Sequence, residues 1–282
     1  GCIPTKTLLY SAKTYDSAKH ASKYAINVSE VSFDLSKIIV RKSKVVRKLV
    51  LGVKAKLASN NVAIVSGEAQ IIDKNTVRCG EETYEGENLI LCTGSETFIP
   101  PIPGVETVNY WTHRDALDNK ELPASLAIVG GGVIGMEFAS FFNSLGVQVT
   151  VVEMLDEILG GMDKELSALL RAEYAKRGIK FLLSTKVVGL SQTEGAAVVS
   201  YENAEGSGSV VAEKLLMSVG RRPVTKGFGL ENLNLEKTER GAVKVDEKMQ
   251  TSVPGVYVCG DLTGFSLLAH TAVREAEVAV HS

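Results

Sequence analysis

Cysteine is scarce in this chain: four in 282 residues, at Cys2, Cys79, Cys92 and Cys259. So few in so long a chain exclude a small secreted fold framed by disulfides. No apolar run approaches the roughly 20 residues that span a bilayer, and the N-terminus lacks the charged-then-apolar pattern of a secretory leader. A basic block is missing as well, and the net charge is −2. Neither nucleic acid nor an acidic membrane is therefore an expected partner. There is no internal repeat of solenoid period. These absences leave a cytoplasmic globular protein as the expectation. The composition agrees, with 45% hydrophobic and 23% charged residues, in a length suited to about two domains.

The most informative stretch runs from Leu126 to Glu153. Leu126–Val129 is long enough for one buried strand, and Gly130-x-Gly132-x-x-Gly135 follows at once. A helical pattern continues through Ile134, Phe138, Phe141, Phe142 and Leu145, and Gly146 stops it. Val147–Val152 reads as a second strand, closed by Glu153. A glycine triplet alone says little, but between a strand and a helix, with an acid about 20 residues on, it is a dinucleotide fingerprint. Gly130 permits the tight turn, Gly132 lets backbone approach a pyrophosphate, and Gly135 lets helix and strand pack closely. Gly131, Val133, Ile134, Met136 and Glu137 complete the phosphate-facing turn, whose unpaired N–H groups favour an anion. Glu153 can accept hydrogen bonds from an adenosine ribose diol and would repel a 2′-phosphate. Met154-Leu155-Asp156-Glu157 offers no arginine to reverse that preference, so NAD is expected rather than NADP.

Before this stretch, residues 4–24 read as a helix with Pro4 in its first turn, and a second helix runs from Asp34 to Asn60. The second has an apolar face of Leu35, Ile38, Ile39, Val45, Val46, Leu49, Val53 and Leu57 and a basic face expected to be solvated. Short strands are expected at 62–65, 69–72, 76–79, 82–84 and 88–92. Pro100-Pro101-Ile102-Pro103-Gly104 is a stiff connector. After the fingerprint come a helix at 163–177, strands at 179–183, 187–190, 197–201, 209–211 and 214–219, a strand at 255–259, and a final helix at 268–280. Cys79, Cys92 and Cys259 fall in strands and are expected to be buried apolar side chains. No metal ligand set is assigned.

The ordered motifs Gly1-Cys2-Ile3-Pro4-Thr5-Lys6, Leu91-Cys92-Thr93-Gly94-Ser95, Gly130–Glu137, Gly220-Arg221-Arg222-Pro223, Tyr257–Asp261 and Leu267-Leu268-Ala269-His270 resemble the pyridine nucleotide–disulfide oxidoreductases. The likeness is greatest to the branch that oxidises dihydrolipoamide with NAD⁺, giving lipoamide and NADH. Glutathione- and mercuric-reductase-like members share the layout but prefer NADPH, which Glu153 argues against. They remain the alternative enzymes, and a non-catalytic NAD-binding module is the alternative outside enzymology.

The resemblance implies an α/β architecture: a Rossmann-like NAD-binding domain at 121–243, inserted in an incomplete FAD-binding domain (three-layer ββα type) formed by 1–120 and 244–282. It implies FAD and NAD as cofactors, and it makes Cys2 the flavin-side member of a redox-active C-x-x-x-x-C disulfide at a helix N-terminus. Lys6 and Glu137 would pair beside the reactive edge of the flavin. Thr93, Gly94 and Ser95 would form the crossover near FAD, and Asp261 would bind the ribityl chain. The backbone of Leu267, Leu268, Ala269 and His270 would approach the isoalloxazine, while Val187 and Gly220 would border NAD. The expected partner is a lipoyl-bearing protein of a 2-oxoacid dehydrogenase complex or the glycine cleavage system, served by a homodimeric parent enzyme. Against that pattern the first FAD fingerprint, the partner cysteine expected five residues before Cys2 and the C-terminal dimerisation domain are not found. The expectation is accordingly an internal piece of such an enzyme, inactive toward dihydrolipoamide by itself.

Overall fold

A computed structural model describes residues 1–282. In chain order the elements open with α1 (Cys2–Lys19), α2 (Leu35–Ser59), β1 (Ala69–Ile71), β2 (Thr76–Cys79), β3 (Glu82–Glu85), β4 (Leu89–Leu91) and β5 (Ser95–Thr97). Then follow β6 (Tyr110–Trp111), α3 (His113–Asp118), β7 (Ser125–Val129), α4 (Val133–Ser144), β8 (Gln148–Val152), α5 (Lys164–Lys176) and β9 (Lys180–Leu182). The chain closes with β10 (Lys186–Thr193), β11 (Ala196–Asn203), β12 (Gly206–Ala212), β13 (Lys214–Met217), β14 (Arg221–Pro223), β15 (Val256–Val258) and α6 (Ala269–His281). The backbone separates into two compact units, residues 1–53 with 97–220 and residues 54–96 with 221–282.

In the first unit a parallel sheet runs in the order β6-β13-β7-β8-β9. Strand β7 is buried on both faces, as parallel strands are when layers cover each side. Leu126 and Ile128 face a helical layer with Met136, Phe138, Phe141 and Phe142 of α4 and Leu8 and Ala12 of α1. Ala127 and Val129 face the other way, toward Leu190, Val199 and Ala212 of the antiparallel meander β10-β11-β12. Helix, parallel sheet and meander make three layers of a Rossmann-like α/β fold. Chain order reverses between β7 and β13, the switch point at whose strand ends such folds bind ligands. Asp163 caps α5, its carboxylate accepting the N–H groups of Glu165 (2.9 Å) and Leu166 (3.1 Å).

The second unit joins β15 and β4 as a parallel pair and β1-β2-β3 as an antiparallel sheet. Ile71, Leu91, Leu230, Val243, Val256, Val258 and Leu262 form its core.

Four expectations need correction. Residues 62–65 form no strand and Val62, Ile64 and Val65 are exposed, because a short apolar run without a pairing partner makes no ladder. The first helix ends at Lys19 and a separate 3-10 turn covers Ala21–Tyr24. The apolar face of α2 is buried only toward its start, at Leu35 and Ile39, while Leu49 and Val53 are exposed. Nor is its basic face wholly solvated. Lys42 is 4% exposed; its stem follows Leu35 and Ile39 on the inward stripe, and its ammonium donates to the Leu117 carbonyl (2.9 Å) and to Asp118.

Lys42 thus satisfies a terminal carbonyl of α3, where a cation is also favoured by the helix dipole. Lys42→Ala is expected to cost about 2–3 kcal/mol, from the unpaired buried carbonyl plus the lost stem. Lys42→Met, which keeps the stem, is expected to cost about half as much. Urea unfolding of both variants checks this; equal stabilities for the two and the parent would remove any role for the pairing.

Candidate functional site

Within the first unit, β7 ends in the glycine turn. Gly130 has φ +107°, and a Cβ there would stand 2.3 Å from the Ser218 carbonyl oxygen at the end of β13. A Cβ on Gly135 would stand 2.3 Å from the Gly130 carbonyl oxygen. Gly132 is different: nothing lies within 4 Å of where its Cβ would be. It is also the N-cap of α4 and supplies no side-chain cap. Backbone is therefore jammed where helix meets sheet and open where an anion would meet the first turn. Val133 is exposed and Met136 is buried in the core, so Met136 can address a ligand only through its backbone.

The Glu153 carboxylate is held at the lip of this turn, accepting the N–H groups of Gly131 and of Leu155 (2.8 Å). An ionised carboxylate has about four lone-pair sites, so acceptor capacity is left for a diol. The short loop after Glu153 lacks an arginine, but the fold brings one. Arg171 of α5 binds Glu157 through two bonds of 2.8 and 3.0 Å, and its guanidinium holds that carboxyl below the usual carboxylate range. The cation is committed to Glu157. Val187 is half-buried beside a β-bulge, and Gly220, with φ +130°, follows β13.

Also in the first unit, Cys2 is the exposed first residue of α1. Lys6, one turn on, pairs with Glu137 of α4. The two helices meet through Leu8, Ala12 and Phe138, which fixes where that pair can form. Cys2, Lys6, Tyr10, Arg41 and Val45 line an open groove.

In the second unit Thr93 donates to the Val224 carbonyl (2.9 Å) and Gly94 has φ +71°. The Ser95 hydroxyl donates to Asp261, and Arg221 donates to the Ser95 hydroxyl (2.7 Å) and carbonyl. Asp261 sits in the turn after β15, whose Gly260 N–H is accepted by the buried Glu275 (2.6 Å). Arg221 and Glu275 are organising residues that the sequence motifs did not single out. Arg221 was signalled only as part of Gly-Arg-Arg-Pro, and nothing local marks Glu275. Leu267 and Leu268 lead into α6, Ala269 and His270 begin it, and all four are exposed. The cysteines depart from expectation. Cys79 is half-buried, Cys92 lies just past β4 and is exposed, and only Cys259, just past β15, is buried.

A three-layer Rossmann-like fold carrying this glycine turn defines a dinucleotide-binding class of α/β protein. The sequence pattern of the pyridine nucleotide-disulphide oxidoreductases matches residues 1–276, and the chain belongs to that family. It is 40% identical over 285 residues to a dihydrolipoyl dehydrogenase of Acholeplasma laidlawii, covering 99% of this chain and 83% of that one. It is 35% identical over 287 residues to a dihydrolipoyl dehydrogenase of Geobacillus stearothermophilus, covering 100% of this chain and 61% of the relative. Among solved structures, the HOCl-induced flavoprotein disulfide reductase RclA of Escherichia coli superposes with a TM-score of 0.84 at 29% identity, over 98% of this chain and 60% of that one. The chain thus spans about three fifths of several relatives. Family membership implies a flavin and a pyridine nucleotide as cofactors. No helix is long and apolar enough to cross a membrane.

Proposed function

We propose that this chain carries the NAD-binding part and flavin-contacting segments of a dihydrolipoamide dehydrogenase, which passes two electrons from dihydrolipoamide to NAD⁺. The observation that carries the NAD assignment is the Glu153 carboxylate at the lip of the open Gly132 turn. The first turn of α4, through Gly132, Val133 and Ile134, receives the pyrophosphate, and Glu153 accepts from the adenosine ribose. Gly130 and Gly135 shape the turn, while Val187 and Gly220 border the dinucleotide. The dinucleotide-binding domain is assigned to 121–243, between FAD-domain segments 1–120 and 244–282.

For the dithiol half, Cys2, exposed at the start of α1, is the flavin-side thiol of the redox-active disulfide. Lys6 supplies a cation, oriented by Glu137, for negative charge that develops beside it. Asp261, braced by Ser95 and Arg221, offers its free lone pairs to a ribityl hydroxyl. Thr93 and Gly94 shape the crossover, and the backbone from Leu267 to His270 borders the ring system. A bound flavin would supply the two-electron relay between dithiol and nicotinamide. The partner is a lipoyl-bearing protein, the parent enzyme is a homodimer, and the compartment is the cytoplasm.

Parallel titrations of the chain with NADH and NADPH, read by nucleotide fluorescence, test the dinucleotide reading. NADH is expected to bind at least about tenfold more tightly, one charge-assisted contact being worth about 1.5–3 kcal/mol. Equal affinities would overturn the assignment to NAD, and no binding of either would overturn the role of the turn.

A further inference from the structure

The parallel register of β15 on β4 ends with Val258 opposite Leu91. The ladder reaches one residue further, since the Cys259 N–H donates to the Leu91 carbonyl (3.1 Å) and Cys259 keeps an extended backbone (φ −133°, ψ 155°). Cys92 and Cys259 are therefore the next pair in line on neighbouring strands. Strands lie about 4.8 Å apart, inside the roughly 4.4–6.8 Å Cα separation that a disulfide bridges. Residues in parallel register point to the same face, and Leu91 and Val258 take the core face, which leaves the two thiols together on the other. Both feel the carboxylate of Glu275 from α6, and each feels the other.

We propose that Cys92 and Cys259 are a dithiol site, separate from Cys2, that closes to a disulfide when it meets a low-molecular-weight disulfide. The two cysteines have unequal parts. Cys92 is exposed and reaches the oxidant first, whereas Cys259 is 2% exposed. Burial pushes the Cys259 thiol up to about 11 and raises that of Cys92 too, while the Cys259 thiol donates toward Cys92 and favours the Cys92 thiolate. The Cys92 thiolate attacks one sulfur of the small disulfide, a mixed disulfide forms, and one thiolate leaves. Cys259, losing its proton, then attacks the Cys92 sulfur and expels the second thiolate. Two protein thiols are oxidised, one external disulfide is reduced to two thiols, and the released protons go to solvent or the leaving thiolates. The bond would tie together the strand ends that continue directly into Thr93–Ser95 and Gly260–Asp261, the segments joined by the Ser95–Asp261 hydrogen bond.

The test uses the 282-residue chain carrying Cys2→Ser, so that the terminal thiol cannot compete. After incubation with glutathione disulfide, the free thiols are alkylated and a non-reduced digest is mapped by mass spectrometry. The expected product is one cross-linked species joining the Cys92 and Cys259 peptides, two hydrogens lighter than their sum, with Cys79 alkylated. Adding Cys259→Ser is expected to leave glutathione attached at Cys92, and phenylarsine oxide is expected to bind one per chain only while both cysteines are present. Because Cys259→Ser alters a buried position, Cys92→Ser serves as the second variant and should abolish both the cross-link and the arsenical. A stable mixed disulfide on Cys92 beside an alkylated Cys259, or a cross-link to Cys79, or no oxidation at all, would overturn the proposal.

Discussion

Replacing Gly135 by alanine is expected to destabilise the chain by about 3 kcal/mol, against a change within about 0.5 kcal/mol for Gly132→Ala. Alanine is the better helix former by about 1 kcal/mol, so propensity alone predicts a gain at Gly135. Sterics decide otherwise. The added Cβ would stand 2.3 Å from the Gly130 carbonyl oxygen and 3.4 Å from the Ile128 side chain. That carbonyl cannot swing aside cheaply. Gly130 is held at φ +107°, its N–H donates to the Val152 carbonyl (2.9 Å), and its own Cα faces the Ser218 carbonyl of the adjacent strand end. Relief must come from moving α4 off the sheet, against the packing of Phe138 and Phe141. For a domain with about 5–15 kcal/mol of net stability such a shift is severe. Gly132 meets nothing within 4 Å and has φ −70°, which any residue adopts. Its variant should fold normally and lose NADH affinity, because the new methyl occupies the space through which phosphate reaches the helix amides. Urea midpoints with NADH titrations separate the two effects. A Gly135→Ala chain as stable as the parent would mean that helix and strand are less tightly docked than their glycines require.

The glycine turn was legible in the sequence because its demands are local: three glycines, two flanking apolar strands and a following acid fall within one short stretch. The helical and sheet periods around it were legible for the same reason, since β7, α4 and β8 each bury an apolar pattern that the residues themselves display. Interactions that depend on what the fold brings together were not. Lys42 reads as one more solvated lysine until α3 lies beside it, and Arg171 is absent from the loop after Glu153 yet reaches Glu157 from α5. The Ser95–Asp261 contact joins residues far apart in the chain, and the pairing of Cys92 with Cys259 depends on the register of two short parallel strands. Residues 62–65 failed in the opposite sense: strand-like residues, without a neighbouring strand to complete the hydrogen bonding.

Glu153→Gln and Glu153→Arg are expected to divide the charge of this residue from its structural bonds. Glutamine keeps one carbonyl oxygen for a backbone N–H but loses the second acceptor and the negative charge. NADH affinity should fall about tenfold, and the penalty on NADPH should shrink, since the repulsion of its 2′-phosphate disappears while a neutral donor is gained. Arginine goes further. It removes both bonds to Gly131 and Leu155 and offers a planar fork suited to a phosphate. The neighbouring Arg171 should not interfere, because its guanidinium is engaged by both oxygens of Glu157. The NADH-to-NADPH affinity ratio should therefore reverse, an overall swing of about a hundredfold or more, corresponding to about 3 kcal/mol. The loop bonds set the competing outcome. If Glu153 serves mainly to brace Gly131 and Leu155, both substitutions would weaken NADH and NADPH by the same factor and lower the urea midpoint alongside. A change in the ratio with the midpoint nearly fixed identifies Glu153 as the residue that tells ribose from its 2′-phosphate.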